Sequence, residues 1–509
     1  MTAAAPGPDM PPTPADRARF AGLQADFARS FARLVTDPNA PRTVVILPSL
    51  SLDADVLARI SGVHHYEERM LCLLLLLRMP RTEVIYLTSM PIPDTIIDYY
   101  LHLLPGIPMQ HARRRLTLIA CDDASPVALS RKLLARPRLL SRIGESIRHP
   151  KDAHLSCFNV TDDERRLALA LNLPIYGCDP DLAHWGSKSG SRKVFRAAGL
   201  DMPAGAEDLR DQQDIVDALL DLKRRKPGLR RAVVKLNEGF SGEGNATFRF
   251  DGAPEGASLA PWLKGRLPHL AFEASGMTWD LFRSKFSAMG GIVEEWVEGA
   301  AKRSPSAQMR VDPGGQPQAI STHDQVLGGP SGQIFLGATF PADAAYRKTV
   351  QDAGLAAASV LAEKGVIGRF GVDFLSVPEG GGWSHKAIEI NLRKGGTTHP
   401  FLMLQFLTDG TYDTESGQFH AAAGQPRCYY ATDTLEAKRY RGLTPADLID
   451  IAALNGLYFH AGQQEGVTFH LIGALSEFGK LGVVAIGADP ARADALYRRT
   501  VAALDRETA

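Results

Sequence analysis

The stretch KAIEINLRKGGTTHP, Lys386 to Pro400, decides how the rest of the chain is read. Ala387, Ile388 and Ile390 predict a strand, and Glu389 and Asn391, two positions apart, leave the same face of it. Carboxylate and amide oxygens are hard ligands, and a carboxylate combined with nucleotide phosphates is the usual way a protein holds Mg²⁺. Arg393 follows two positions later, aimed the same way in an extended chain, and its planar fork suits a carboxylate or a phosphate. Glu, Asn and Arg so close together have no comfortable place in a buried strand. Taken alone, the same residues also fit an exposed edge strand whose polar face meets water.

Moving outward from this stretch, GRFGVDFLSV predicts a strand carrying Asp373, and an antiparallel neighbour at that separation puts Asp373 and Glu389 around one metal site. A long helix, 344–364, precedes it. QMRVDPGGQPQAISTHDQVLGG reads as a hairpin turning at Pro313 to Gly315, which brings in Arg310 and His323 as candidate catalytic groups. GGIVEEWVEGA is a strand with an acidic tail, Glu294, Glu295 and Glu298 around Val297, able to offer backbone groups to an adenine and a carboxylate to a ribose hydroxyl. RAVVKLNEGFSGEGNATFRF puts Lys235 at the end of a strand, then Gly239, Ser241, Gly242 and Gly244. Glycines there let backbone amides approach a polyphosphate, as a flap between strands. No GK[ST] follows, so this is no P-loop, and a plain hairpin is the simpler reading in isolation. GSKSGSRKVFRAAGLDMPAG predicts a helix ended by Gly199, with Lys188 and Lys193 as candidates for nucleotide phosphates or as ordinary surface lysines.

The chain has 509 residues, enough for about three domains. Its 57 basic and 57 acidic residues cancel, so no global field points to nucleic acid or an acidic membrane. Arginines between 131 and 148 lack interleaved aromatics and read as a solvated helix face. The five cysteines show no ligand spacing, which favours a reduced, cytoplasmic setting. Residues 1–15 read as a disordered tail without the features of a signal peptide. The apolar run at Met70 is too short to cross a bilayer.

The N-terminal part reads as an amphipathic helix over 15–35, then strand (RTVVILPSLS), helix (HHYEERMLCLLLLLRMP) and strand (EVIYLTSMP), a βαβ unit with a parallel sheet. His64, His65, Glu67 and Glu68 lack zinc-protease spacing and are expected as a helix start with acidic first-turn residues. RLTLIACDD and LNLPIYGCDP continue this part, which closes near Ala183. Beyond His399 a helix ends at Gly410. FHLIGAL and KLGVVAIG read as helix and strand, a last helix covers 490–505, and His460 and His470 are expected in core or domain contacts.

The order of these parts resembles the ATP-grasp superfamily of ligases: a lysine before a helix, a strand lysine with a glycine flap, an EExxE segment, a GVDF strand and E-x-N-x-R. With its N-terminal α/β region and C-terminal tail, the whole chain is similar to the peptide ligases of the pheganomycin type. That resemblance implies an α/β (α+β) protein with a pre-ATP-grasp domain over 16–184, an ATP-grasp domain of two subdomains clasping ATP over 185–405, and a linker and small C-terminal α/β domain over 406–509.

It implies further that Lys188, or Lys193 in its place, and Lys235 contact ATP phosphates beneath residues 239–244, with Glu294, Glu295, Val297 and Glu298 around adenosine. Asp373, Glu389 and Asn391 would hold one or two Mg²⁺, with Mn²⁺ an acceptable substitute, and Arg393 would face the activated carboxylate. The expected activity is ATP-dependent activation of a carboxylate as an acyl phosphate and its coupling to an amine, giving a peptide or amide bond, ADP and phosphate in secondary-metabolite biosynthesis. The expected partners are small-molecule or peptide substrates, with no nucleic acid or membrane, and a homodimer is compatible with the sequence. Two alternatives stay open: a ligase for unrelated small molecules, and a nucleotide-binding module without catalysis.

Overall fold

A computed structural model describes residues 11–509 apart from 38, 53, 240–243, 300 and 329–333. The first part is a four-stranded parallel sheet of β1 (Arg42–Leu47), β2 (Thr82–Thr88), β3 (Leu116–Ala120) and β4 (Ala153–Cys157), in the order β3-β2-β1-β4. Val45, Leu47, Ile85 and Leu87 pack on one face of it with Phe20 of the first helix, Pro14–Thr36, whose start is fixed by a reciprocal Thr13–Asp16 cap. Val44, Ile46, Val84 and Tyr86 pack on the other, against Val63–Arg78. That run is wound as a 3₁₀ helix, and its residues from Met70 to Leu75 are buried on every side.

The acidic residues at its start are not solvated first-turn groups. Glu67 is buried and accepts from the Ser89 amide and hydroxyl at 2.6 Å each, and Glu68 accepts from the Gly473 amide at 3.1 Å. Both close internal contacts because a buried amide or hydroxyl needs an acceptor.

Two further sheets follow. The first contains β5 (Gly205–Leu209), β6 (Arg231–Leu236), β7 (Asn245–Arg249), β8 (Ala271–Phe272) and β9 (Gly291–Glu295), ordered β5-β9-β6-β7-β8. The second is built from β10 (Pro305–Val311), β11 (Pro317–Gly328), β12 (Ile334–Phe340), β13 (Gly368–Glu379) and β14 (Gly382–Asn391), and helix Arg347–Glu363 packs against β10 and β11. After the helix Thr398–Thr408 and a small β15–β16 ribbon (Thr411–Asp413, Gln418–His420) come β17 (Cys428–Glu436), β18 (Gly466–His470) and β19 (Lys480–Gly487).

The C-terminal strands build no sheet of their own. They extend the second sheet to eight strands, β14-β13-β10-β11-β12-β17-β19-β18. Their apolar residues Val483, Val484 and Ile486 share one core with Leu71 and Leu74 of the 3₁₀ run and Leu404 of helix Thr398–Thr408. First and last thirds of the chain are therefore packed on each other. Phe469 and His470, read as the start of a helix, are strand because they pair with β19, Phe469 opposite Val483, and the helical turn begins only at Ile472. His470 is buried as expected, whereas His460 is exposed in a turn where its Nδ1 accepts from the Gln463 amide at 3.2 Å. Among the described residues no helix is long and apolar enough to cross a membrane.

Candidate active site

The two central sheets enclose a cavity of about 1040 Å³. One wall carries Lys235 of β6 and Glu294 and Glu295 of β9, with Trp296 and Val297 beyond; the other carries Asp373 of β13 and Glu389 and Asn391 of β14, with Arg393 past the strand end.

The aim of Glu389 depends on an irregularity. Asp373 pairs with Glu389, but Phe374 pairs with Ala387, so Ile388 is an extra residue on β14. This bulge shifts the alternation by one position. Ala387 and Ile390 accordingly lie in the core while Glu389 and Asn391 face the cavity. Asn391 Nδ2 donates to Asp373 Oδ2 and to Glu389 Oε1, both at 3.0 Å, and its Oδ1 accepts from Arg393 Nη2 at 3.3 Å. Gln325 of β11 donates to Asp373 Oδ1 at 2.9 Å.

Lys188 reaches the same group from the first turn of helix Lys188–Ala197 and forms an ion pair with Glu389. Two features hold that turn in place. The Ser187 hydroxyl accepts from the Gly190 amide at 3.0 Å, and a Cβ on Gly190 would lie 2.1 Å from the His184 carbonyl.

Burial and the Glu389 charge push the Asp373 carboxyl above its ordinary range. Burial would do the same to Glu389, but the Lys188 ammonium, joined by Lys235 and Asn391, holds it below the usual range. The arrangement fits a hard divalent cation: two carboxylates face each other, and an amide stands between them with its N–H edge toward both. Asn391, turned over, would offer its oxygen to such a cation.

Lys235 pairs with Glu294, which also lies 3.5 Å from Arg192 Nη1. Glu295 accepts from the Ala204 amide at 2.8 Å and pairs with Lys226. Gly239 and Gly244 line the cavity, and Ser241 and Gly242 lie outside the described residues.

Four expected site residues stand elsewhere. Lys193 points out of the site and pairs with Asp208 at 2.7 Å. Glu298 is held by Arg231 at 2.6 Å on the exposed side of its segment. Arg310 lies one strand-step beyond Gln308, where Gln318 accepts from its Nε at 3.2 Å. His323 is fully buried beside the stacked rings of Phe340 and Tyr429, with Nε2 2.5 Å from the Tyr429 hydroxyl, and burial pushes its pKa down to about 3. Neither Arg310 nor His323 lines the cavity.

Gln325 and Ser306 beside Asp373, and Arg69 and Asp433 on the cavity wall, are lining residues that the sequence does not single out. No local motif marks them. Only strand register brings Ser306 opposite Asp373.

A family model described as "IQCH-like, ATP-grasp" matches residues 180–250 and 258–415, and one described as "PGM1 C-terminal domain" matches 447–500. The chain is 29% identical over 484 residues to L-propargylglycine--L-glutamate ligase of Streptantibioticus cattleyicolor, covering 92% of this chain and 95% of that protein. It is 22% identical over 428 residues to IQ motif-containing protein H of Danio rerio, covering 75% of this chain and 40% of that protein. Among solved structures, the biotin carboxylase domain of Hydrogenobacter thermophilus 2-oxoglutarate carboxylase matches with a TM-score of 0.55 at 12% identity, covering 90% of this chain and 89% of that one. Biotin carboxylase of Campylobacter jejuni matches with a TM-score of 0.53 at 12% identity, covering 90% of each chain. The chain thus has an ATP-grasp fold, with the sequence match to the ATP-grasp family model confined to residues 180–250 and 258–415.

Proposed function

We propose that this protein is an ATP-dependent, ADP-forming ligase that joins a carboxylate to an amine in a peptide or amide bond, with amino acids or peptides as substrates. The observation that carries this reading is the convergence of Asp373, Glu389, Asn391, Lys188, Lys235 and Arg393 on one cavity. The similarity to a ligase of two amino acids, over nearly the full length of both chains, supports the substrate class. On the family resemblance the setting is secondary-metabolite biosynthesis in a reduced cytoplasm, in keeping with five buried, unpaired cysteines.

The residues divide the work by charge. A carboxylate and a nucleotide triphosphate repel, so the cationic ends of Lys188, Lys235 and Arg393 must hold them together. Lys235 and Lys188 would turn from Glu294 and Glu389 to the phosphates, while Glu295 and Val297 would border the adenosine. Asp373, Glu389 and Asn391 would hold Mg²⁺, which offsets phosphate charge when bound. Arg393 would orient the carboxylate for transfer of the γ-phosphoryl group, and an amine would then displace phosphate from the acyl carbon. Water must be kept away in between, which the enclosing sheets favour.

The test is ADP release by purified protein with Mg-ATP over amino acids and short peptides, singly and in pairs, with product masses read. Turnover that needs one carboxylate and one amine, with a product lighter than their sum by one water, supports the ligase. Tight Mg-ATP binding with no turnover and no hydroxylamine-trapped acyl phosphate would mark a nucleotide-binding module instead.

A further inference from the structure

Part of the cavity wall is built by segments outside the strands that carry Lys235, Asp373 and Glu389. That part comes from Tyr66 and Arg69 of the 3₁₀ run and from Asp433 and Thr434 of β17. Arg69 lies over the Tyr66 ring, 4.3 Å from its centroid, and forms an ion pair with Asp433. The two side chains are 14% and 8% exposed. The Arg69 Nε is buried and has no hydrogen-bond partner among the described residues. From behind, His399 Nδ1 lies 3.0 Å from the Arg69 carbonyl, and Lys480 holds the Tyr66 hydroxyl. Arg69 is also close enough to Arg393 for their charges to oppose.

Stability alone does not explain this pair. Withdrawing two charges from water costs about as much as their attraction returns, and apolar replacements are often neutral or better. The pair sits instead on the wall of a cavity at the top of the range of about 300–1000 Å³ that serves one drug-sized ligand. There is room beside a nucleotide for a second molecule. Arginine offers five donors and a carboxylate about four acceptor sites, so each partner retains capacity while the pair stays formed. A cation and an anion fixed side by side are the complement of a group carrying one carboxylate and one ammonium on the same carbon atom.

Building on the ligase reading, we infer that Arg69 and Asp433 form the subsite that takes the zwitterionic head group of a free α-amino acid substrate, Arg69 binding its α-carboxylate and Asp433 its α-ammonium. Tyr66 keeps the guanidinium plane in place, and the amino acid's remaining portion extends toward Arg393 and the carboxylate pair. Because the subsite reads both charges, capping either one on the ligand removes a defined contact. A site built to bond a polar group rejects analogues lacking it far more strongly than an apolar pocket rejects a missing methylene.

The experiment is calorimetric binding to full-length protein preloaded with Mg-ADP. The ligands are the common L-amino acids and L-propargylglycine, followed by the Nα-acetyl and α-carboxamide forms of those that bind. The wild type is expected to reject both capped forms by more than tenfold. Arg69→Gln should lose the discrimination against the carboxamide and keep that against the acetyl form; Asp433→Asn should do the reverse. Mg-ADP affinity should stay within twofold in both, and Arg69→Met serves if the glutamine variant does not fold. The inference is overturned if no free amino acid binds, or if the variants discriminate as the wild type does, which would leave a bridge between chain segments. ADP release driven only by substrates that are not amino acids overturns it while leaving the ligase intact. Amino-acid binding that follows the expected pattern without any ADP release would do the opposite.

Discussion

Asp373 and Glu389 face each other directly across β13 and β14, and one amide, that of Asn391, donates to both at 3.0 Å. Like charges this close favour neutralisation of one of them, and the raised Asp373 carboxyl is the one that yields. The group is thus built against the stability of the empty protein. Asp373→Asn removes the repulsion and should stabilise the metal-free protein by roughly 1 kcal/mol, about the worth of one pKa unit. It should also lower Mg²⁺-dependent ADP release by about a hundredfold or more. Thermal melts without metal and turnover against Mg²⁺ concentration check the two halves; a variant both less stable and fully active would contradict the assignment.

Lys188 and Lys193 lie five residues apart on one helix, about 140° apart in projection. They cannot serve one ligand together. Lys188→Met should weaken ATP binding about tenfold or more, because a charge-assisted bond of about 1.5 to 3 kcal/mol is lost. Lys193→Met breaks only an exposed pair with Asp208 and should leave ATP binding unchanged. Titration of the two variants with a fluorescent nucleotide separates them; equal losses would mean that the nucleotide lies differently.

Arg393 holds Asn391 and lies 6.0 Å from the centroid of the Phe158 ring, where the N-terminal part of the chain meets the central one. Arg393→Ala should cost on the order of 3 kcal/mol of barrier, roughly a hundredfold in kcat, with Mg-ATP binding little changed. Near-full turnover in that variant would remove it from the reaction.

Much of this was legible in the sequence because alternation and glycine placement report directly on strands and turns. EINLR, GVDF and the strand lysine Lys235 each reached the cavity wall by the period-two rule. The bulge at Ile388 was not legible, since nothing in AIEIN marks an extra residue. Nor was the merging of the C-terminal strands with the central sheet, because edge pairing between β12 and β17 is a long-range choice that local pattern does not encode. His323 and Arg310 show the limit from the other side: chemically attractive residues on predicted strands, they pack away from the cavity because their neighbours Phe340, Tyr429 and Gln318 claim them. Arg69 and Asp433 meet across 364 residues, a contact only the fold creates.

Buried histidines set the acid limit of this protein. Burial pushes the pKa values of His154 and His399 down to about 4 and that of His323 to about 3, from an ordinary 6.5, and lowers that of His470 as well. In each case the unfolded chain takes up a proton below pH 6.5 that the folded chain refuses, so stability is present above that pH and is lost as the pH falls toward the folded values. With His323 alone the slope is about 1.4 kcal/mol per pH unit between roughly pH 6 and 4. His323→Phe should therefore flatten the fall in stability over that window by about this amount, whatever it does to stability at neutral pH through the lost contact with Tyr429. Denaturant midpoints for wild type and variant from pH 7 to 4 give the comparison, and parallel curves would show that His323 is protonated in the folded protein.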